Sequence, residues 1–348
     1  MDNMRIIRGI PKVFPFGRPC CLTIGTFDGV HTGHQAVIRR VVELAIESGL
    51  TSVVMTFDPH PRSSVGKANA PPLLTCTSHK LRLLEELGVD ACILVELDDN
   101  LASMPATDFV IEILHRKLRV AGLVVGPRSR FGKGRGGTPA LLKRLGKTLG
   151  YWVEIADEVF IGDSPVSSTM ARRSILDGDL PSAERILGRR FSIMGRVVRG
   201  RTVGRKLGFR TANINPMDQV IPPSGIYATE VVVNGTRHLG ALYVGSRPTF
   251  SDEELSAPAL EVHILDFDRP IYRKQIEVVV HRRLRDDRRF DNPEELTKQI
   301  ALDINEVKRY FKGEMGADSS QELPARRLVS GAPWKLSIDA MSRAKITT

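Results

Sequence analysis

The sequence predicts an α/β domain built on a parallel sheet, followed by a mainly antiparallel β-barrel and a closing C-terminal helix. Three observations predict it. Short β-branched runs alternate with helical periodicities through the first half of the chain. Strand patterns then follow one another without helices after about residue 186. The length, 348 residues, exceeds a typical single domain and fits two.

In chain order, CCLTI (20–24) and TSVVMTF (51–57) read as strands. Between them HQAVIRRVVELAIESG places Val37, Val41, Val42 and Ile46 on a helical stripe, with Gly49 as a stop. SHKLRLLEELG, ACILVEL, DFVIEILHRKL and AGLVVG repeat the alternation. In TPALLKRLGKTLG, Thr138 offers an N-cap and Pro139 a first-turn proline. Such a sheet, covered on both faces, takes ligands beyond the carboxyl ends of its strands. SSTMARRSILDG and LPSAERILG are short helical pieces at a junction. RFSIMGRVVRG, GIYATEVVVNGTRHLGALYVG with its Asn234-Gly235 hairpin signal, LEVHILDFD and RKQIEVVVHRRL then read as strands. PEELTKQIALDINEVKRYF closes as an amphipathic helix. The expected units are 1–185, 186–312 and a tail, 313–348, of little periodicity.

A formal charge of +10 points to anionic partners. The basic clusters carry no RNA-binding or zinc-finger pattern, which places phosphorylated small molecules ahead of nucleic acid. No apolar run approaches the ~20 residues that span a bilayer, so no membrane partner is expected. MDNMRIIRGIPKVF lacks the apolar core of a signal peptide, and the expected location is cytoplasmic. Cys20, Cys21, Cys76 and Cys92 show neither metal-ligand spacing nor a disulfide pattern, and read as buried free thiols. A homo-oligomer is compatible with all of this.

The stretch TIGTFDGVHTGHQAVI (23–38) sets His31 and His34 at the opening of the first helix, directly after a strand. Both rings can then share a face beside backbone N–H groups that no helix carbonyl satisfies. That setting suits a polyphosphate, and imidazoles that donate hydrogen bonds can stabilise charge developing on a pyrophosphate leaving group. Gly25, Gly29 and Gly33 would allow close approach of backbone to nucleotide. A zinc ion shared by the pair would need a third ligand; Asp58 and His60 in TFDPHP lack metal spacing. In GRKLGFRTANI, Thr211 and Asn213 point the same way from a strand and can offer two oxygens to one Mg²⁺.

GTFDGVHTGH, TFDPHP, RFGKGRGG, VSSTMARR, LGR (187–189), GRKLGFRTANI, SRPTF and LEVHILDFD occur in the order found in bacterial bifunctional riboflavin kinase/FMN adenylyltransferases. The chain resembles that family over roughly residues 15 to 311. The resemblance implies a Rossmann-like nucleotidyltransferase domain that transfers AMP from ATP to FMN, giving FAD and pyrophosphate. It implies a second domain that phosphorylates riboflavin to FMN. On the same ground His31 and His34 would contact ATP phosphates, with Phe27, Asp28 and Gly29 shaping the pocket. Ser167, Ser168, Thr169 and Arg172 match an ISSTxxR motif that holds the β and γ phosphates. In the kinase half Gly204, Lys206, Thr211 and Asn213 fall in a motif that binds ATP and Mg²⁺, Glu261 matches the base, and Arg285 matches an arginine near flavin and nucleotide.

The chain departs from the family pattern in three places. Arg128 and Ser129 stand where the family usually has Asp or Asn and then an aromatic residue. Arg210 replaces a proline before Thr211, and Arg273 replaces a glycine. If that glycine requires positive φ, arginine costs about 1 kcal/mol or more. These changes motivate an alternative: a diverged relative with one or both activities lost, binding flavin or serving regulation. An RNA-binding module, resting on charge and the basic tail, would show steeply salt-dependent affinity.

Overall fold

The computed structural model describes residues 3–12, 14–59, 71–199, 209–245 and 259–317. Gly204, Lys206, His60, the SRPTF motif and the chain after Ala317 lie outside the described residues.

Strands β1 (Arg5–Arg8), β2 (Cys20–Ile24), β3 (Thr51–Phe57), β4 (Ala91–Val95), β5 (Val120–Val125) and β6 (Trp152–Ile155) form one sheet in the order β1-β4-β3-β2-β5-β6. Every neighbouring pair in it is parallel. β2 to β5 read as near-continuous apolar runs because both faces of the sheet are covered. The chain winds from β2 through β3 to β4 on one side, then crosses to β5 and β6 on the other. The crevice between the carboxyl ends of β2 and β5 is therefore the topological switch point, where doubly wound sheets bind ligands.

Helix α1 (Thr32–Glu47) turns Ile38, Val41 and Ala45 to the core. Of the expected stripe, Val41 is buried and Val37 and Val42 are partly buried against the neighbouring core clusters, whereas Ile46 is 77% exposed. Steps of three and four from Val41 reach Ile38 and Ala45, which complete the buried face. α2 (Thr77–Glu86), the short α3 (Asp99–Ser103) and α4 follow; α4 begins at Ala106–Asp108 and widens into a π-type helix over Phe109–Lys117. In α5 (Pro139–Leu149) the Thr138 hydroxyl accepts the Leu141 N–H at 3.2 Å, as its cap chemistry predicts.

A small hairpin, β7 (Phe160–Ile161) with β8 (Ser164–Pro165), leads into α6 (Ser168–Leu176) and α7 (Leu180–Leu187). Then β9 (Ser192–Val198), β10 (Thr211–Asn215), β11 (Gly225–Val233), β12 (Thr236–Gly245), β13 (Ala259–Ile264) and β14 (Gln275–Arg285) close an antiparallel barrel in the order β10-β13-β12-β11-β14-β9. Asn234 (φ 49°) and Gly235 (φ 83°) make the tight turn that joins β11 to β12. α8 (Pro293–Ala317) lays Val307 and Phe311 on Ala228 and Leu265 of the barrel wall, and it runs past the expected end of the unit at 312.

One apolar cluster joins Ala171, Ile175, Ala183 and Ile186 of α6 and α7 to Tyr227, Val231 and Val278 of the barrel. By packing, α6 and α7 share the barrel core, while the earlier helices pack on the sheet. The four cysteines are buried and free, as expected. Among the described residues no helix is long and apolar enough to cross a membrane.

Candidate active sites

A cavity of about 730 Å³ occupies the switch point, floored by the ends of β2 and β5. Phe27, Asp28, His31, His34, Ser167, Ser168, Thr169 and Arg172 all line it; Gly29 does not. Gly29 serves the framework instead: its φ is 82°, and a Cβ there would lie 2.7 Å from the Leu74 side chain.

His31 caps α1, its Nδ1 accepting the His34 N–H at 3.3 Å. This bond assigns the neutral ring, because an accepting Nδ1 leaves the proton on Nε2. Burial, then the charges of Arg189 and Arg128, lower His31 to about 4. Burial and His31 push His34 well below its ordinary value. The rings stack with centroids 3.6 Å apart, and Phe27 meets His34 edge-on at 5.2 Å. At neutral pH both imidazoles are therefore uncharged hydrogen-bond donors, and one of the helix's loose N–H groups is already taken by His31 itself.

α6 presents a second helix N-terminus to the cavity. Ser167 caps it by accepting the Met170 N–H at 3.2 Å, while the exposed Thr169 lines the opening. Ser168 and Arg172 are tied down: the Ser168 hydroxyl donates to the Asp28 carbonyl at 2.9 Å, and Arg172 pairs with the Asp28 carboxylate at 2.7 Å and donates to the Pro72 carbonyl at 2.7 Å. Asp28 also accepts the Leu74 and Thr75 N–H groups at 2.9 and 3.2 Å. Asp28 and Arg172 thus brace the segment 72–75 and α6 against the strand-to-helix turn.

Two framework residues escaped the sequence reading as functional. Lys80, buried on α2, donates to the Thr26 and Phe57 carbonyls and the Thr56 hydroxyl at 3.0–3.2 Å, and burial lowers its pKa. A lysine on the apolar face of a helix, beside Leu83 and Leu84, was the available signal. Arg189, the arginine of LGR, donates to the carbonyls of Gly29 and Val30 and is lowered to about 10 by burial. Arg128 stands at the mouth with its Nε 2.6 Å from Glu158 Oε1.

In the barrel, Asn213 faces Glu261 across β10 and β13, and the Thr211 hydroxyl donates to Glu261 Oε2 at 3.1 Å. Thr211 and Asn213 line a cavity of about 260 Å³ with Arg210, Phe267 and Tyr272. Arg210 donates to the Asp268 carbonyl at 2.8 Å, across the same rim. Arg285 lies elsewhere: its guanidinium grips Asp303 of α8 through two bonds of 2.8 and 2.7 Å. Arg273 has φ 63°, the left-handed conformation that favours glycine.

The sequence of the chain matches two family models in tandem, FAD synthetase over residues 15–170 and riboflavin kinase over residues 187–311. The bifunctional riboflavin kinase/FMN adenylyltransferase of Escherichia coli K12 is 38% identical over 310 residues, which cover 88% of this chain and 98% of that one. The chain belongs to this family. Family members from Pseudomonas fluorescens and Haemophilus influenzae are 37% and 35% identical over 86% and 88% of the chain. A crystal structure described as a macrolide-efflux protein from Streptococcus pneumoniae shares the fold, with a TM-score of 0.76, 27% identity and coverage of 88% of this chain and 99% of that one. The two family matches leave 171–186 unclaimed, the stretch where α6 and α7 join the FAD synthetase cavity to the kinase barrel.

Proposed function

We infer that the protein makes FAD from riboflavin in two steps, phosphorylating riboflavin in the barrel and adenylylating FMN in the switch-point cavity. The observation that carries the reading is the tandem family match laid over two separate cavities, the first lined by His31, His34 and Thr169 and the second by Thr211 and Asn213.

In the first cavity the triphosphate of ATP would lie across the N-termini of α1 and α6. A phosphate oxygen of FMN attacks the α-phosphorus of ATP, and the bond from that phosphorus to the bridging oxygen breaks, releasing pyrophosphate. The Nε2–H of His31 donates to the phosphate chain as charge moves to the leaving group, and Thr169 and the cap of α6 orient it. No covalent enzyme intermediate is required, so positioning supplies most of the rate.

In the barrel the 5′-hydroxyl of riboflavin attacks the γ-phosphorus of ATP, ADP departs, and Glu261 accepts the hydroxyl proton. Thr211 and Asn213 would hold Mg²⁺. Their oxygens are of the hard type it prefers, and Thr211 gives its hydrogen to Glu261, which keeps its oxygen lone pairs for a cation. Bound there, the ion would neutralise phosphate charge. Flavins and ATP are the small-molecule partners.

The test is to supply riboflavin, ATP and Mg²⁺ and to quantify FMN and FAD by chromatography. His31→Ala should leave FMN accumulating with FAD reduced at least 100-fold, the usual scale for losing such a donor. Glu261→Gln should block FMN formation and spare FAD formation from supplied FMN. Unchanged FAD formation in the His31 variant would remove the assigned site.

A further inference from the structure

We propose that Arg128 selects the phosphorylated flavin, passing from Glu158 to the 5′-phosphate of FMN as FMN enters the first cavity. The inference rests on the adenylyl-transfer reading above.

Three observations lead to it. The first is position: Arg128 follows β5 at the mouth of the switch-point cavity, and its side chain is 62% exposed. It is close enough to His31 for its charge to lower that ring's pKa. A phosphate held by Arg128 therefore sits near phosphates held at His31, where the nucleophile must meet the α-phosphorus of ATP.

The second is the quality of its present contact. Arg128 Nε lies 2.6 Å from Glu158 Oε1, yet that buried oxygen accepts no directed hydrogen bond. The pair is held by charge alone, so the planar donor fork of the guanidinium is largely unspent. Arg172, by contrast, has two directed bonds of 2.7 Å to Asp28 and Pro72 and is buried.

The third is chemical. A phosphate dianion offers two oxygens to the fork and outcompetes one misdirected carboxylate oxygen. Riboflavin carries no charge there and cannot displace Glu158. A chain that handles both flavins needs this distinction, since its second reaction accepts only the product of the first. Arginine also offsets the repulsion between the FMN phosphate and the triphosphate. Glu158 is the carboxylate paired with Arg128 in the absence of flavin, so the two residues form one device.

The experiment measures steady-state pyrophosphate release by the full-length chain, varying FMN and ATP separately. Riboflavin phosphorylation in the same preparation reports folding. Arg128→Met should raise KM for FMN about tenfold, the scale of a lost charge-assisted bond, with KM for ATP little changed. Arg128→Lys should recover part of the loss. Glu158→Gln should lower KM for FMN, because it removes the competitor; a merely structural pair would shift both variants the same way. The inference is overturned if Arg128→Met raises KM for ATP instead, leaves KM for FMN unchanged, or is matched in sign by Glu158→Gln. If the wild type releases no pyrophosphate with FMN, the adenylyl-transfer reading itself fails and the inference falls with it.

Discussion

His31 caps a helix in the structure and binds phosphate in the proposed reaction, and the two demands agree. As a cap its Nδ1 must stay unprotonated to accept the His34 N–H, and as a phosphate ligand its Nε2 must carry a proton. The neutral ring satisfies both, and burial enforces it. His79, 1% exposed on α2 and outside the cavity, is also held neutral, lowered to about 3 chiefly by burial. An unfolded histidine binds its proton below about 6.5. These buried rings do so only near 4 and 3. As pH falls from 7 to 5 the unfolded chain takes up protons that the folded chain refuses, so stability is lost in that direction. Each ring contributes about 2 kcal/mol to the loss by pH 5. Denaturant midpoints should fall over that range, and His79→Gln should show a shallower fall; equal slopes would contradict the assignment. The histidine pair was legible in HTGH because its signal is local. Lys80 and Arg189 were not, because they meet carbonyls 54 and 160 positions away and their value depends on the tertiary fold.

Elements with strong local periodicity were legible: β2 to β5, α5 with its Thr138 cap, and the β11–β12 hairpin with its Asn-Gly turn. The edge strands β1 and β6 were missed, since short, partly exposed strands carry neither a continuous apolar run nor a long alternation. Arg285 is a case where motif and packing diverge. It bonds β14 to α8 through Asp303, which is only 6% exposed. Removing one partner of such a buried pair strands the other charge, a cost of about 3 kcal/mol or more. Arg285→Ala should therefore lower barrel stability by about that amount. Asp303→Asn in the same background should recover part of it. The measurement is a denaturation curve for the single and double variants, read beside KM for riboflavin. A raised KM with unchanged stability would instead place Arg285 on the flavin, as the family resemblance implies.

At the scale of the whole molecule the two units are joined by chemistry as well as by chain. α2 of the sheet domain packs on β9 and β14 of the barrel. There Glu277 accepts from Arg82 at 2.8 Å and from the Ser192 hydroxyl at 2.7 Å, and Gln275 donates to the Ser78 hydroxyl at 2.7 Å. Burial raises the Glu277 carboxyl, but the hydrogen bond and charge of Arg82 outweigh it and hold the group at about 2. His79, 3.6 Å away, is neutral at pH 7, so Arg82 rather than His79 supplies the compensating charge. The same carboxylate supports the buried Arg189, whose guanidinium holds the turn before His31. α7 completes the link, because the Ile186 and Leu187 carbonyls accept from Thr32 and Gln35 of α1 while their side chains sit in the barrel core. None of this was readable from sequence, where residue 186 marks only a change of pattern. A change in the barrel at Glu277 should consequently be felt in the other half. Glu277→Gln leaves Arg82 and Arg189 with only the exposed Glu86 as countercharge, and about 2 kcal/mol of stability should be lost. Pyrophosphate release with FMN and ATP should fall as well, although Glu277 lines neither cavity. In a double-mutant cycle with Arg82→Met the two losses should be far from additive. Should Glu277→Gln slow only riboflavin phosphorylation and leave pyrophosphate release at the wild-type rate, the two halves would be mechanically independent and α7 no more than a tether.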